Sequence, residues 1–292
     1  MQGPQAAILG SGERLHLHHG PIDLIIGAQG DAPEARQRAF EAAFERFQSI
    51  LDGLVKELAQ HRSQLTSQTP WPADPVARRM YRAARPVAAR TYLTPMIAVA
   101  GSIADEVLAA IVAAVPLRRA YVNNGGDIAV HLADGEEYSI AMAQTDGGDL
   151  GRIRITAKDG ICGIATSGAM GRSHSLGIAD SVTVLAASAA QAGVAATLIA
   201  NAVDVPDCPD IMRQPACDLQ PDSDLGERLV VTGVPVLGKT ERDAALDAGQ
   251  AFARTMLEHG HIKGAALFLQ NQNITLGQGF GQPQQRMEFA HV

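Results

Sequence analysis

The sequence of 292 residues has little of what typifies several common protein classes. Its three cysteines, Cys162, Cys208 and Cys217, are too few for the disulfide framework of a small secreted domain. We interpret Cys162 as a small core residue and the other two as loop thiols. Aromatic residues make up only 4%, so Ala, Val, Leu and Ile must build the core. No Gly-x-Gly-x-x-Gly run occurs and strands and helices do not alternate regularly, which argues against a Rossmann fold.

Positive charge is also scarce. A net charge of −7 and a pI near 5.7 argue against nucleic-acid binding, which needs a basic face, and they are compatible with a small-molecule ligand. The N-terminus has no basic segment before an apolar run, so we predict no signal peptide and a cytoplasmic location. The most apolar segment, residues 96–116, contains Asp105 and Glu106, which predicts a buried helix and no membrane span.

The apolar pattern predicts an α+β fold, with largely antiparallel sheets and long helices packed on their faces. Short alternating segments separated by turn residues predict the strands. A long helix is predicted from Asp31 to about residue 58, where apolar residues recur every three or four positions, with further helices over about 97–114, 189–202 and 240–258. No low-complexity linker divides the chain. We therefore expect one domain over residues 1–292, with 1–10 and 278–292 as peripheral tails.

Two polar, glycine-containing runs follow strand-like segments. The first is Asn123-Asn124-Gly125-Gly126-Asp127, between two apolar runs. Adjacent glycines there indicate positive φ or a close approach to another group. Taken alone, the pattern favours a structural hairpin turn. The second run, Ala165-Thr166-Ser167-Gly168 followed by Ser173-His174, favours a binding site that both runs share.

A short basic segment supplies the only concentrated positive charge, at Arg78, Arg79, Arg82, Arg85 and Arg90. These arginines could form a solvated face paired with acidic neighbours, or a wall that binds phosphate through guanidinium groups. For any single arginine, pairing is the favoured interpretation. Arg90 and Tyr92 lie just before the predicted start of a helix, so we include both as candidate ligand-binding residues.

Together the two runs resemble the ApbE-like superfamily, whose best-known members are FAD-dependent FMN transferases that flavinylate proteins. Those enzymes have an Asn-x-Gly-Gly-Asp/Asn-Ile run, here residues 123–128, and then Ala-Thr-Ser-Gly and Ser-His, here residues 165–168 and 173–174. A Ser-Val-Thr-Val strand follows at 181–184, and then a small-residue helix that reaches Thr197. Order and spacing agree over about residues 90–202. The chain is most similar to a shorter, uncharacterised branch of the superfamily.

The resemblance implies a T-fold-like architecture and a pocket for FAD or another nucleotide. Proteins of this architecture often assemble, so a homo-oligomer is one expectation. His174 is the candidate general acid or base, because histidine titrates near neutral pH, and Asp127 would orient the polar groups. The expected ligand-binding residues are Asn123, Gly125, Gly126, Thr166, Ser167, Gly168, Ser173, Arg90 and Tyr92.

The sequence departs from the transferases at their magnesium site. They have an aspartate four residues before the threonine, whereas Gly193 precedes Thr197 here. Glycine has no side-chain oxygen for a hard cation, so we do not expect the conventional magnesium site. Asp222 and Asp224 could supply replacement oxygens for a metal together with Thr197, or could simply form a turn. Three functions stay open: an enzyme with altered chemistry, a flavin- or nucleotide-binding protein, and an oligomeric scaffold.

Overall fold

A nine-stranded sheet forms the centre of the computed structural model, which describes residues 3–89, 91–143, 148–171 and 173–281. The strands of the described residues, in order, are β1 Gln5–Leu9, β2 Arg14–His19, β3 Ile22–Gln29, β4 Arg119–Asn124, β5 Asp127–Leu132, β6 Glu137–Ala143, β7 Asp149–Thr156, β8 Gly163–Ser167, β9 Ser181–Ala186, β10 Met212–Pro215, β11 Leu229–Gly233, β12 Gly264–Leu269, β13 Gln272–Gly277 and β14 Phe280–Gly281. The large sheet has the order β1-β2-β3-β4-β5-β8-β9-β12-β13, with antiparallel neighbours throughout. The predicted mixed fold with an antiparallel sheet is confirmed.

Helices cover one face of this sheet. They are α1 Ala35–Phe47, α2 Ile50–Val55, α3 Leu58–His61, α4 Pro75–Ala88, α5 Val99–Ala114, α6 Ala189–Ala202, α7 Ala216–Leu219 and α8 Lys239–Glu258. Helices α5 and α6 lie side by side over the middle strands, with α1 packed beyond α5 and α8 beyond α6. Both central helices consist mostly of small and aliphatic residues, which lets them approach the sheet and each other closely.

The opposite face is covered in part by a small sheet of order β14-β7-β6. Ile153 and Ile155 of β7 pack there against Ile164, Leu185 and other side chains of the large sheet. Strand β9 therefore contributes to two cores, since Val182 and Val184 belong to the helix-side core. This explains the nearly continuous apolar sequence of β9, because both of its faces are buried.

Several local predictions need correction. The helix expected from Asp31 begins at Ala35, and the chain leaves helical structure after Phe47 before α2 starts. The apolar period continues through that interruption, so periodicity alone could not reveal it. Part of the predicted N-terminal tail forms the edge strand β1. Cys162 is exposed and not a core residue, because its neighbours Ile161 and Gly163 take the buried positions.

The apolar segment around α5 lies within the helix layer. By length and composition alone, Pro95–Ala114 is long and apolar enough to cross a membrane. In this fold Ile103, Val107 and Ile111 are buried in the helix-side core. The first turns of the segment, from Thr94 to Ala100, instead border a polar cavity.

Candidate functional site

The first glycine run forms the turn of the hairpin β4–β5. Asn124 pairs with Asp127, and the two residues between them, Gly125 and Gly126, have φ angles of 64° and 114°. Two consecutive positive φ values match the twist of the strands and suit glycine. Asn123 Oδ1 accepts a hydrogen bond of 2.9 Å from the Gly126 N–H, and Asn124 Nδ2 donates to the Ala100 carbonyl at 3.1 Å. The turn is thereby attached to the start of α5.

The second run forms the end of β8 and the turn that follows it. Gly168 has a φ angle of 151°, and an added Cβ would lie 2.6 Å from the Asp180 carbonyl oxygen. Residues with a side chain are therefore excluded at this position. The Thr166 and Thr183 hydroxyl oxygens lie 2.9 Å apart across β8 and β9. Downstream, the buried Ser175 hydroxyl donates to the Gly177 carbonyl at 2.9 Å. These contacts hold the segment that carries Ser173 and His174.

Both runs open into one cavity of about 480 Å³. Of the predicted residues, the cavity is lined by Tyr92, Gly125, Asp127, Thr166, Ser167, Gly168, Ser173, His174, Thr197, Asp222 and Asp224. Asn123 and Gly126 support the turn without lining the cavity. Arg90 lies outside the described residues.

The floor, which we define as Gly101, Asp105, Asp127 and Gly193, joins α5, α6 and the hairpin; Asp127 and Gly193 line the cavity, whereas Gly101 and Asp105 do not. A Cβ built on Gly193 would lie 2.6 Å from Asp127 Oδ2, so the carboxyl group occupies the space beside a residue that has no side chain. The pKa of Asp127 is raised to about 7: burial raises it most, the hydrogen bond from the Gly101 N–H lowers it by less, and the Asp105 charge adds a smaller increase. Asp127 is only half-buried as a residue, because it faces the cavity.

Asp105 carries a second carboxyl group at the floor. Its oxygens accept hydrogen bonds of 3.0 Å from the backbone N–H groups of Ala189 and Ala190, the first residues of α6. A carboxylate at this end of a helix is stabilised by the unpaired N–H groups and the helix dipole. Burial nevertheless raises the pKa of Asp105 above its usual range. Ser188 adds a separate cap, accepting from the Gln191 N–H at 3.2 Å.

The rim loop, residues 220–228, borders the opposite side of the cavity. Arg62 forms an ion pair of 2.8 Å with Asp222, and the Tyr92 hydroxyl donates to the Asp224 carbonyl at 2.9 Å. The Thr94 hydroxyl donates to the Asp224 carboxylate. Arg228 lies over the Tyr92 ring, 3.1 Å from its centroid. Contacts from Gln220 and then Arg62 lower the pKa of Asp222.

The donor set does not fit a resident magnesium ion. Gly193 offers no oxygen from its side chain, and the carboxylates of Asp222 and Asp224 already contact Arg62 and Thr94. Asp127 supplies one carboxyl group with a pKa near neutrality. Within the described part of the chain, no three His, Cys, Asp or Glu side chains are grouped to hold a metal ion. One carboxylate and the Thr197 hydroxyl are few protein oxygens to hold such an ion by themselves, so a magnesium ion here would depend on waters and on the phosphates of a bound ligand.

The basic segment mostly faces away from the cavity. Arg79 pairs with Glu106 at 2.6 Å, and Arg85 stacks on Trp71 with its guanidinium 4.4 Å from the ring centroid. Arg78 donates to the Pro72 carbonyl. The described arginines of this segment do not line the cavity, whereas Arg62 does. Pairing with local groups, the favoured interpretation of the arginines, agrees with these contacts.

Sequence analysis missed several residues of the site. Arg62 and Asp105 act across separations of 160 and 84 residues, and no local pattern marks such partners. Thr94 was not selected as a candidate from the sequence, yet it is buried and bonded to the rim loop. Asp105 did carry a signal, because a charge inside the most apolar segment of the chain needs a specific partner.

These features define a class of protein: an antiparallel sheet covered by helices, with a polar cavity where two glycine turns meet the starts of two helices. The sequence model of the family described as AbpE bacteria matches residues 6–279, and the chain belongs to that family. The resemblance to ApbE-like proteins is confirmed.

Relatives agree with this assignment. The chain is 33% identical over 233 residues to the UPF0280 protein MK0206 of Methanopyrus kandleri, covering 77% of this chain and 91% of that protein. UPF0280 proteins of Methanothermobacter thermautotrophicus and Methanosarcina acetivorans are each 34% identical, over 45% and 47% of this chain and 50% and 53% of their own lengths. The name UPF0280 specifies no activity.

A solved structure is also similar. The apo crystal structure of the Pseudomonas stutzeri flavinyl transferase ApbE aligns with a TM-score of 0.48 and 12% identity, covering 94% of this chain and 95% of that one.

Proposed function

We propose that this chain binds a flavin nucleotide, or another nucleotide of similar size, in the cavity between the two glycine turns. The observation that carries the proposal is the convergence of Gly125, Thr166–Gly168, Ser173 and His174 on one cavity of about 480 Å³. Glycine turns let a ligand approach the backbone closely, and hydroxyl groups supply donors for phosphate or carbonyl oxygens. The ApbE-like family membership supports the same class of ligand.

The charge of the cavity is compatible with an anionic ligand despite its acidic lining. Asp222 is paired with the Arg62 guanidinium and Asp127 is largely protonated below pH 7, so of these three carboxyl groups only Asp224, which accepts from the Thr94 hydroxyl, keeps an unpaired charge. Arg62 adds a guanidinium group at the rim. A phosphate therefore meets fewer free negative charges than the count of carboxyl groups suggests.

If the protein is an enzyme, Asp127 and His174 are its proton-transfer groups in a transfer or hydrolysis reaction on this nucleotide. Both line the cavity. A carboxyl group with a pKa of about 7 can donate or accept a proton at neutral pH, which makes Asp127 more than an orienting residue. Ser167 and Thr166 would donate hydrogen bonds to the ligand.

Calorimetric titration with FAD, FMN and ADP tests the binding proposal. We expect heat of binding for at least one flavin, with an affinity that EDTA or added magnesium changes less than about twofold, because the donor set suits no resident cation. His174→Ala should weaken flavin binding about tenfold or more, the size expected for one lost polar contact. His259→Ala is the matched control, since His259 is exposed at the end of α8. No heat with any of the three ligands would overturn the proposal.

A second function, non-catalytic binding of the same ligand, is favoured by one observation. Gly193 leaves the floor without the carboxylate that accompanies Thr197 in the transferases. Purified protein should be incubated with FAD and an acceptor peptide, with and without magnesium, and assayed for released AMP and for peptide-bound FMN. Binding without turnover in either assay would select the carrier or sensor, whereas turnover without magnesium would select the altered enzyme.

We further propose that the chain forms one T-fold-like domain and assembles as a homo-oligomer in the cytoplasm. Support for the domain is the single large sheet to which strands from both halves of the chain contribute. Sedimentation-velocity measurements test the oligomer, and a species of about 31 kDa at every concentration would contradict it.

A further inference from the structure

Two carboxyl groups lie one helical turn apart along α6. Asp105 contacts the backbone N–H groups of Ala189 and Ala190, and Asp127 lies beside Gly193, four residues after Ala189. The same spacing recurs on α5, where the Gly101 N–H donates to Asp127 and Asp105 follows four residues later. One turn of an α-helix rises 5.4 Å, so two adjacent turns on each helix hold the two acids close together.

The contact between α5 and α6 is too tight for this spacing to relax. A Cβ on Gly101 would overlap the backbone of Ala189, and a Cβ on Gly163 of β8 would overlap Ser188 and Ala189. The first turn of α6 is thus enclosed by backbone from two elements. Asp105 is fixed inside this junction by two hydrogen bonds that a change of rotamer would break.

The two acids receive unequal support. Asp105 has two backbone donors at the positive end of a helix, which favour its charged form. Asp127 has one donor, the Gly101 N–H. Of the cations nearby, Arg79 acts on Asp105 but is bonded to Glu106 at 2.6 Å.

Other titratable groups also face the two acids. Cys162 lies on the Asp105 side, and burial and then the Asp105 charge raise the pKa of its thiol. On the Asp127 side the cavity presents Asp23, Arg62, His174, Asp222 and Asp224. Neither carboxyl group forms an ion pair with a described residue at the floor. Burial is the larger reason why the pKa of Asp127 is raised, and the negative charge of Asp105 raises it further.

We propose that Asp105 is a positioning residue for Asp127: held as a carboxylate at the first turn of α6, it adds to the effect of burial in keeping the proton on Asp127, one turn further along the same helix. Asp127 then faces the cavity as a hydrogen-bond donor up to neutral pH and as an acceptor above it. Its use in proton transfer rests on the proposed function, whereas the coupling between the two acids does not.

Carbon-13 NMR titration of the aspartate side-chain carboxyl signals in the full chain tests this coupling without any ligand. Asp105→Asn removes the charge while its amide oxygen can still accept a hydrogen bond from α6. We expect the Asp127 titration midpoint to fall by about half a pH unit or more while staying above the ordinary aspartate range, because burial is the larger cause of its raised pKa. Asp180→Asn is the matched control, because it removes another part-buried carboxyl group, one that accepts from the Gln270 N–H, and it should leave that midpoint within about 0.2 units.

The reciprocal variant keeps the test decisive if Asp105→Asn does not fold. Because Asp127 is still protonated when Asp105 ionises, Asp127→Asn should leave the Asp105 midpoint nearly unchanged, whereas a fall of about one pH unit would show that Asp105 is the group that keeps its proton and would overturn the assignment. An Asp127 midpoint near 4 in the unmodified protein, or one that does not move in Asp105→Asn, would overturn the inference. Flavin binding without coupling between the two acids would support the proposed function and overturn this inference. Coupling without nucleotide binding would support this inference and overturn the proposed function.

Discussion

The floor and the rim of the cavity use the same acidic residue type in opposite ways. At the floor, burial raises the pKa of both Asp105 and Asp127, and their partners are backbone N–H groups. At the rim, Asp222 is exposed, and contacts with Gln220 and Arg62 lower its pKa. Depth below the surface and the presence of a cation therefore decide what an aspartate can do here, more than its position in the sequence.

Because of this difference, Asp127 at the floor is suited to exchange a proton, whereas Asp222 at the rim is suited only to bind a neighbouring cation. A carboxyl group that titrates near neutrality can exchange a proton with a ligand, whereas one held ionised by a guanidinium group can only attract or anchor. The floor residues also lie on two long helices and a hairpin turn, while the rim residues lie on a loop between α7 and β11. The rigid floor therefore fixes the position of Asp127, whereas the rim closes one side of the cavity.

The largest expected effect would break the floor itself. Gly101→Ala would place a methyl group against the backbone of Ala189, at the start of α6. Helix backbone cannot move aside as a flexible side chain can. Denaturant titration should show a loss of about 3 kcal/mol or more in the free energy of unfolding, as for severe overpacking. Gly193→Ala meets the end of the Asp127 side chain instead and should cost less. Equal losses in the two variants would show that the junction of α5 and α6 is not rigid.

A second variant, Asp127→Asn, tests whether the raised pKa of Asp127 at the floor affects the stability of the protein. Because the folded state raises the pKa of Asp127 to about 7, the group favours folding when protonated, and this advantage is lost as the pH rises from about 4 to 7. Asparagine cannot ionise, so Asp127→Asn should be more stable than the unmodified protein at pH 8. We expect a gain of about 2 kcal/mol in the free energy of unfolding, about half of the value that a pKa shift of about three units would give at a fully buried site.

Unfolding curves at pH 4.5 and pH 8 measure this gain. The gain should shrink toward zero at pH 4.5, where Asp127 is protonated in the folded protein. Asp243→Asn, at an exposed i,i+4 pair with Lys239, serves as a control without a raised pKa. A gain independent of pH would assign the effect to packing and would contradict the assigned titration of Asp127.

Short-range structure was predictable from the sequence, and the partners at the site were not. The turn at Gly125 and Gly126 and the capping of α6 by Ser188 depend on residues a few positions apart, and the structure has both. The interruption after Phe47 was invisible because the apolar period runs through it. Exposure of Cys162 depends on which face of the chain its neighbours bury.

Pairing across the chain decides the electrostatics of the site. Arg62 reaches Asp222 and Asp105 reaches Ala189 only because the sheet order and the contact between α5 and α6 bring distant segments together. No residue pattern within a window of ten or twenty positions encodes these contacts. The sequence could therefore nominate Asp127 as a site residue but could not show that its pKa is raised, because the raising groups lie on other elements.

The smallest expected effect concerns the rim. Arg62→Gln removes the cation from Asp222, and the pKa of that carboxyl should rise toward its ordinary value, although less than in Gln220→Ala because the contact with Gln220 is the larger cause. A carboxyl group with a lowered pKa stabilises the folded state at pH values above its ordinary pKa. This stabilisation is lost as the pH falls through the lowered pKa of the folded state. Since both partners of this ion pair are solvent-exposed, water and salt screen it, and unfolding curves of Arg62→Gln should match those of the unmodified protein at 0.15 M salt. If Arg62→Gln instead destabilised the protein as much as Gly101→Ala, the rim would be part of the rigid framework, and the division between a fixed floor and a screened rim would fail.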